Sequence, residues 1–356
     1  MRPAALPMLL IAILLPATAH AQRLTYRGFE RLPEQTAAGL SGVTYAGDGL
    51  YWGVLEWEAK LVRLRLDTRP DGSLAAVAID RTVQMKKGSD FEGVAWTASR
   101  PDAVLVSTET PEIVEVSLKD GRPLRSIKLP PTLVQTVRHQ GLESLAYSTH
   151  GKSLWTANER ALKVDGNPMT HATPMFSATR VRLQRYDVTP DAITPAEQVE
   201  YQTSGVHDLA GQIGLCDLAP LPDGRLLALE RSAAQTFSGA KSIRTRIFLV
   251  DTAGATDVGK PPFDAGLVNQ TPVKVTKTLL YDDFVCDADG ENLEGLCLGP
   301  ELSPGRWAVI GVVDNTDGGL GVSKPAVVAF ELDLNAPPAT QPAATPPIIE
   351  DKREEG

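Results

Sequence analysis

Residues Glu291–Pro300 read ENLEGLCLGP. The same opening, an acidic residue heading a short apolar run, occurs as DFEGVAW at Asp90–Trp96 and as GLESLAY at Gly141–Tyr147. Two variants complete the set. GLSGVTY at Gly39–Tyr45 has Ser41 where the others have an acid, and GLCDLAP at Gly214–Pro220 aligns on Asp217. Each head is followed by a turn and a second apolar run that ends in another acid: Glu56, Glu109, Glu159, Glu230 and Asp314 in turn. The heads recur roughly every 50 residues and then roughly every 75, the spacing of a supersecondary repeat.

The runs are strand-like. They are short, β-rich and separated by Gly, Pro, Asp and Asn, and helix-period segments are scarce after residue 22. Two further runs follow the early strands of a unit, as in TRVRLQRYDVT and AEQVEYQTS after the third head. Four antiparallel strands per repeat is the pattern of a β-propeller blade. The fifth unit supplies only LEGLCL, RWAVIGVVD and AVVAFELDL. The run LTYRGFERL near the start has no other partner and completes that blade, closing the ring and removing its open edge. The reading is all-β, a five-bladed propeller closed by the N-terminal strand. Six blades stay open if the insertions at Val164–Thr179 and Ala233–Arg244 hide another, and tandem Ig-like sandwiches are the competing fold.

The ends read differently. MRPAALPMLLIAILLPATAHAQ has the charged start, apolar stretch and small-x-small close of a secretory signal, with a cut expected after Ala21. The domain spans 22–334, and the Pro- and Ala-rich charged stretch 335–356 reads as a disordered tail. These features predict a periplasmic or secreted monomer without an integral membrane segment in the mature chain. The net charge of −9 and the lack of a basic run argue against nucleic acid. Of the three cysteines, Cys286 and Cys297 are the pair favoured for a disulfide, leaving Cys216.

In a propeller the first strand of each blade lines the channel and the second runs back beside it. The heads Glu92, Glu143, Asp217 and Glu294 therefore gather at one mouth, with Glu109, Glu159, Glu230 and Asp314 one strand farther out. No serine-hydrolase elbow, HExxH, Walker loop or dinucleotide fingerprint is present. The four histidines after the signal lack ligand spacing, and His139, just before GLESLAY, is the one nearest a head. Carboxylates remain, and they suit a hard divalent cation such as Ca²⁺. DADGEN at Asp287–Asn292 adds oxygen donors beside Glu294, and Arg160 and Arg231 each follow a terminal Glu. The bland reading is that each acid staples one blade to the next through backbone N–H groups. Trp52, Trp96, Trp155 and Trp307 read as inter-blade core.

The chain resembles the phytase-like esterase family (esterase-like activity of phytase) of secreted bacterial propellers. The resemblance is carried by GLESLAYSTHGKSLWTANE with ALKVDG, LLALERS with RTRIFLVD, and ENLEGLCLGPELSPGRWAVIGVVDN with PAVVAFELDL. It runs from about Gly39 to Leu334. By analogy to the calcium-dependent propeller phytases it implies a metal-dependent phosphoesterase acting on a small ester or phosphoester. The positions it marks are Glu143, Glu159, Glu230, Arg231, Asn292, Glu294, Asp314 and Asn315. Glu294, Glu143, Arg231 and Asn292 are the catalytic candidates. The metal candidates are Glu92, Glu143, Asp217, Glu294, Asp314, Asn315, Glu159 and Glu230. Ser41 departs from the pattern and removes one ligand. The alternative is a non-catalytic binding propeller with structural calcium.

Overall fold

The computed structural model describes residues 22–336 apart from 87, 89, 137–140, 167–177, 209, 236–238 and 316–322. The signal segment, all but the first two residues of the tail, His139 and most of the first insertion lie outside the described residues. The chain opens with β1 (Arg23–Arg31) and a single helical turn, α1 (Glu34–Ala37). Blade 1 is β2 (Leu40–Tyr45), β3 (Leu50–Leu55), β4 (Lys60–Thr68) and β5 (Leu74–Gln84). Blade 2 is β6 (Phe91–Ala95), β7 (Ala103–Thr108), β8 (Glu112–Ser117) and β9 (Pro123–Ile127). Blade 3 is β10 (Leu142–Tyr147), β11 (Ser153–Asn158), β12 (Arg180–Val188) and β13 (Ile193–Gln202). Blade 4 is β14 (Ala210–Pro220), β15 (Leu226–Gln235), β16 (Lys241–Asp251) and β17 (Thr276–Asp283). Blade 5 is β18 (Leu293–Ser303), β19 (Arg306–Val313) and β20 (Ala326–Asp333), with β1 as its outer strand.

The five sheets are each four-stranded and antiparallel, so the ring has five blades rather than six. Strand β1 pairs with β20 from Arg23↔Asp333 to Arg31↔Ala326. The ladder closes the ring with backbone bonds between the two ends of the domain and leaves the last blade no unfinished edge. Among the described residues, no helix is long and apolar enough to cross a membrane.

Burial explains the composition of each strand. β6 and β7 are buried along their whole length, because inner strands are covered on both faces by neighbouring blades. Outer strands such as β5, LAAVAIDRTVQ, are buried at few positions and carry the polar residues. Five apolar clusters fill the five blade interfaces. One joins Trp52, Val54 and Leu61 to Phe91, Val94 and Val104 across blades 1 and 2. Another joins Leu40, Tyr51 and Val62 to Cys297, Ile310 and Val327 across the ring closure. Burying each such aliphatic side chain is worth about 1.5–3 kcal/mol. The three cysteines are all free, so the expected Cys286–Cys297 bridge is not made. Cys297 sits on the buried inner strand β18, whereas Cys286 lies in the loop after β17.

One buried ion pair holds the longest loop. Arg182 on β12 and Asp165, in the loop after β11, are both fully buried. Arg182 donates to both Asp165 carboxylate oxygens at 2.7 Å, to Gln198 Oε1 at 2.9 Å, and to the carbonyls of Val258 and Phe263 at 2.8 and 3.0 Å. Asp165 Oδ1 also accepts the Leu267 N–H at 3.0 Å. All five guanidinium N–H groups are thus used, three within blade 3 and two on the loop between β16 and β17. Removing one partner strands the other without compensation. Asp165→Ala is therefore expected to lose about 3–5 kcal/mol in urea unfolding. Arg225→Ala, which breaks the surface pair with Asp223, should cost less than about 1 kcal/mol.

Candidate functional site

All five inner strands carry a register break at the same place. The ladders skip between Leu40 and Gly42, Phe91 and Val94, Leu142 and Ser144, Leu215 and Asp217, and Leu293 and Gly295. Residues passed over by such bulges turn away from the regular alternation. They include Ser41, Glu92, Glu143, Cys216 and Glu294. On the second strands the partners are Leu55, Thr108, Asn158, Glu230 and Val313. The next residues along, Glu56, Glu109, Glu159, Arg231 and Asp314, form the outer row of the same rim.

Blade 4 departs from the sequence alignment by one residue. Aligning on its acids chose Asp217 and Glu230, but the register gives the ring positions to Cys216 and Arg231. The Gly-Leu pair that precedes both Cys216 and Glu143 carries the correct alignment. Asp217 occupies the position held elsewhere by Gly42, Gly93 and Gly295, where the inner strands touch. A Cβ at Gly42 would lie 2.3 Å from the Glu92 carbonyl oxygen, and one at Gly93 would lie 2.5 Å from the Leu145 nitrogen. From that position Asp217 reaches across to blade 5 and accepts the Leu296 N–H at 2.7 Å, with the Leu218 N–H at 2.8 Å on its other oxygen. It staples blades. Glu230 faces elsewhere too, accepting from Tyr201 Oη at 2.6 Å, the Ser204 N–H at 2.9 Å and Lys277 Nζ at 2.7 Å.

The rim is electrostatically split. On one side Arg231 donates to Asn292 Oδ1 at 2.8 Å, to Glu159 Oε1 at 3.1 Å and to Glu294. Arg160 pairs with Glu159 at 3.0 Å and donates to Gln212 Oε1 at 2.9 Å. The Asp314 N–H donates to the Asn292 carbonyl at 2.9 Å beside this group. On the other side, one oxygen from each of Glu92, Glu109 and Glu143 lies within 4.8 Å of the others. Ser41 Oγ donates to Glu92 at 2.6 Å and the Gly141 N–H to Glu109 at 3.0 Å. Among the described residues, the Arg pairs of the rim go to Glu159 and Glu294 and to none of these three.

Burial pushes the carboxyls of Glu92, Glu109, Glu143 and Glu294 up. Glu109 rises to about 7, by desolvation and then by the nearby Glu159 charge. Glu92 and Glu143 stand well above the ordinary range, by desolvation first and then by neighbouring carboxylates. Glu294 rises to about 8 through burial, against the pull of Arg231. Crowded buried carboxylates hold protons or share a cation. Oxygens around a Ca²⁺ with bonds of about 2.3–2.6 Å lie at most about 5 Å apart, so the spacing of the triad fits such an ion.

The remaining sequence candidates sit off the triad. Asn315 Oδ1 accepts the Gly39 N–H at 2.8 Å and ties blade 5 to blade 1. In DADGEN, Asp287 and Glu291 turn to Arg31 on β1, at 3.4 and 2.5 Å, rather than forming a calcium loop. His207 lies between Ser232 Oγ at 2.7 Å and Ser242 Oγ at 2.9 Å.

The raised carboxyls set a pH dependence. An unfolded Glu releases its proton near 4.5, whereas folded Glu109 keeps it to about 7. Between those values the folded state binds more protons, so this group's contribution to stability is lost as pH rises. In chelator, Glu109→Gln should match the wild-type Tm at about pH 4 and exceed it by a margin that grows up to about pH 7 and then levels off. A Tm series from pH 4 to 9 checks this, and a constant difference would mean that Glu109 titrates normally.

Among curated proteins none matches this chain. The family described as Phytase-like, esterase-like activity of phytase, matches residues 35–316, from α1 through the acidic ends of all five blades. With most of its length matched and five blades in a closed ring, the chain belongs to the phytase-like family.

Proposed function

We propose that this propeller is an exported hydrolase of esters or phosphoesters that works at its acidic mouth with a divalent cation, Ca²⁺ by donor chemistry. The observation that carries the reading is the split rim. Two arginines neutralise Glu159 and Glu294, while Glu92, Glu109 and Glu143 converge with no cationic side chain among the described residues. These three would hold the ion. A divalent cation bound there polarises an ester or phosphoryl oxygen and lowers the pKa of a bound water.

The protein's own groups do the rest. Ser41 and the Gly141 N–H fix the Glu92 and Glu109 carboxylates in place. Arg231, clamped by Glu159, Glu294 and Asn292, presents a rigid positive edge across the mouth from the triad. An anionic substrate group would meet Arg231 on one side and the cation on the other, which would offset the repulsion of the acidic rim. In this reading Glu294, Glu143, Arg231 and Asn292 are the groups at the reaction site. The proposed cation set is Glu92, Glu109 and Glu143 and leaves out Asp217, Glu230, Glu159, Glu294, Asp314 and Asn315.

A second reading has its own support. Ser41–Glu92 links blade 1 to blade 2, and Gly141–Glu109 links blade 2 to blade 3. A cation on these carboxylates would then be a staple in a binding propeller.

The test uses the chain from Gln22 onward with p-nitrophenyl phosphate and p-nitrophenyl acetate, in Ca²⁺ and in chelator. The expected result is cation-dependent turnover of one probe that falls at least ~100-fold in Glu143→Gln. Glu230→Gln, whose carboxylate is turned to Tyr201, Ser204 and Lys277 between blades 3 and 4, should keep turnover wherever it folds. A Ca²⁺-dependent rise in Tm with no turnover of either probe would select the staple.

A further inference from the structure

The inner strands have a second end. Four residues beyond the heads Ser41, Glu92 and Glu143 stand Tyr45, Trp96 and Tyr147, and between them lie Val43, Val94 and Leu145. These residues line a cavity of ≈ 870 Å³ at the channel mouth opposite the carboxylates. Small-molecule sites run from about 300 to 1,000 Å³. None of the acidic rim residues lines it.

We propose that this cavity binds a neutral saccharide. Its wall is aromatic on several sides: Tyr45, Trp96 and Tyr147 from the matching position of three blades, and Trp307 from blade 5. All four rings are half-buried and packed against the cores between blades. Their positions are set before any ligand arrives. Trp96 Nε1–H donates to the Pro101 carbonyl at 3.2 Å, its backbone N–H donates to Thr44 Oγ1 at 3.2 Å, and Tyr45 packs on Tyr51 at 4.9 Å between centroids. Fixed rings cost little further entropy on binding.

The polar groups define the rest of the ligand. Thr97, Ser99, Ser148, Thr149 and Thr189 bring hydroxyls to the lining, and His150 joins them on an exposed turn. The charges on the lining are Lys152 and Glu301, one of each sign. A charged ligand would lose hydration here without a matching field. A pyranose offers what the cavity asks for. Its C–H faces, positive at the hydrogens, lie against the negative faces of aromatic rings, and its equatorial hydroxyls meet donors and acceptors at the rim. A flat aromatic ligand would use the rings and leave the hydroxyls unanswered.

The test is titration of the chain from Gln22 onward with maltotetraose and with cellotetraose, followed by tryptophan fluorescence and calorimetry. β-Naphthol serves as the flat aromatic probe. We expect saturable binding of at least one tetrasaccharide. Trp96→Ala should weaken it about tenfold. Because Trp96 also packs in the core, His150→Ala on the exposed turn is the second variant, and it should weaken binding without a change in Tm. No saturable binding of either sugar, saturable binding of β-naphthol alone, or sugar binding untouched by both variants overturns the proposal.

Discussion

Close contact between the five inner strands at one end of the channel is the constraint on which the acidic rim depends. The strands touch backbone to backbone there, at Gly42 against Glu92 and at Gly93 against Leu145. No side chain fits between them at these points. The residues one position earlier are therefore pressed together around the axis, and in three of five blades that residue is a glutamate. Desolvation follows from the same contact, and it is the largest cause of the raised carboxyls.

A ring of buried acids is costly, and the molecule answers it unevenly around the axis. Blade 4 carries Cys216 and Arg231 where blade 3 carries Glu143 and Glu159. This substitution puts one cation between two acidic neighbours and settles Glu159 and Glu294. Blades 1 and 2 contain no such exchange, and Glu92 and Glu109 accept from the Ser41 hydroxyl and the Gly141 N–H. Symmetry would have given a uniform negative ring. Breaking it in one blade leaves Glu92, Glu109 and Glu143 crowded together with no Arg pair among the described residues.

The fold was readable because each link in the argument was local. Short β-rich runs bounded by turn residues gave the strands, the repeated head gave five blades, and the orphan run at Leu24–Leu32 had only one place to go. The rim was readable as a place, since strand polarity alone brings heads and tails to one mouth. The acids of blades 2, 3 and 5 were readable too, but the blade 4 positions were not. Those depend on a bulge of one residue, and in GLCDLAP an acid beside the true position drew the alignment to Asp217. The Gly-Leu pair was the better guide, because it reports the backbone approach rather than the charge. The Cys286–Cys297 pairing failed for a related reason. Closeness in sequence says little when one residue lies on an inner strand and the other in a loop.

The aromatic end escaped notice because Trp and Tyr at strand ends have the composition of a core, and Trp52 and Trp155 are indeed buried. Trp96 and Trp307 look alike in sequence but line a cavity. The difference lies in where along the strand each ring falls. Read along one inner strand, DFEGVAW has three stations two residues apart: a carboxylate turned out at the bulge, a buried aliphatic side chain and an aromatic ring. The stations repeat in blade 3 as Glu143, Leu145 and Tyr147. Blade 1 has Ser41, Val43 and Tyr45. At about 3.3 Å per residue the two chemistries stand roughly 13 Å apart. Val43, Val94 and Leu145 stand between the two, buried in the cores between blades. A single strand pattern, repeated around a ring, thus gives one channel a charged end and a neutral end that can be altered independently of each other.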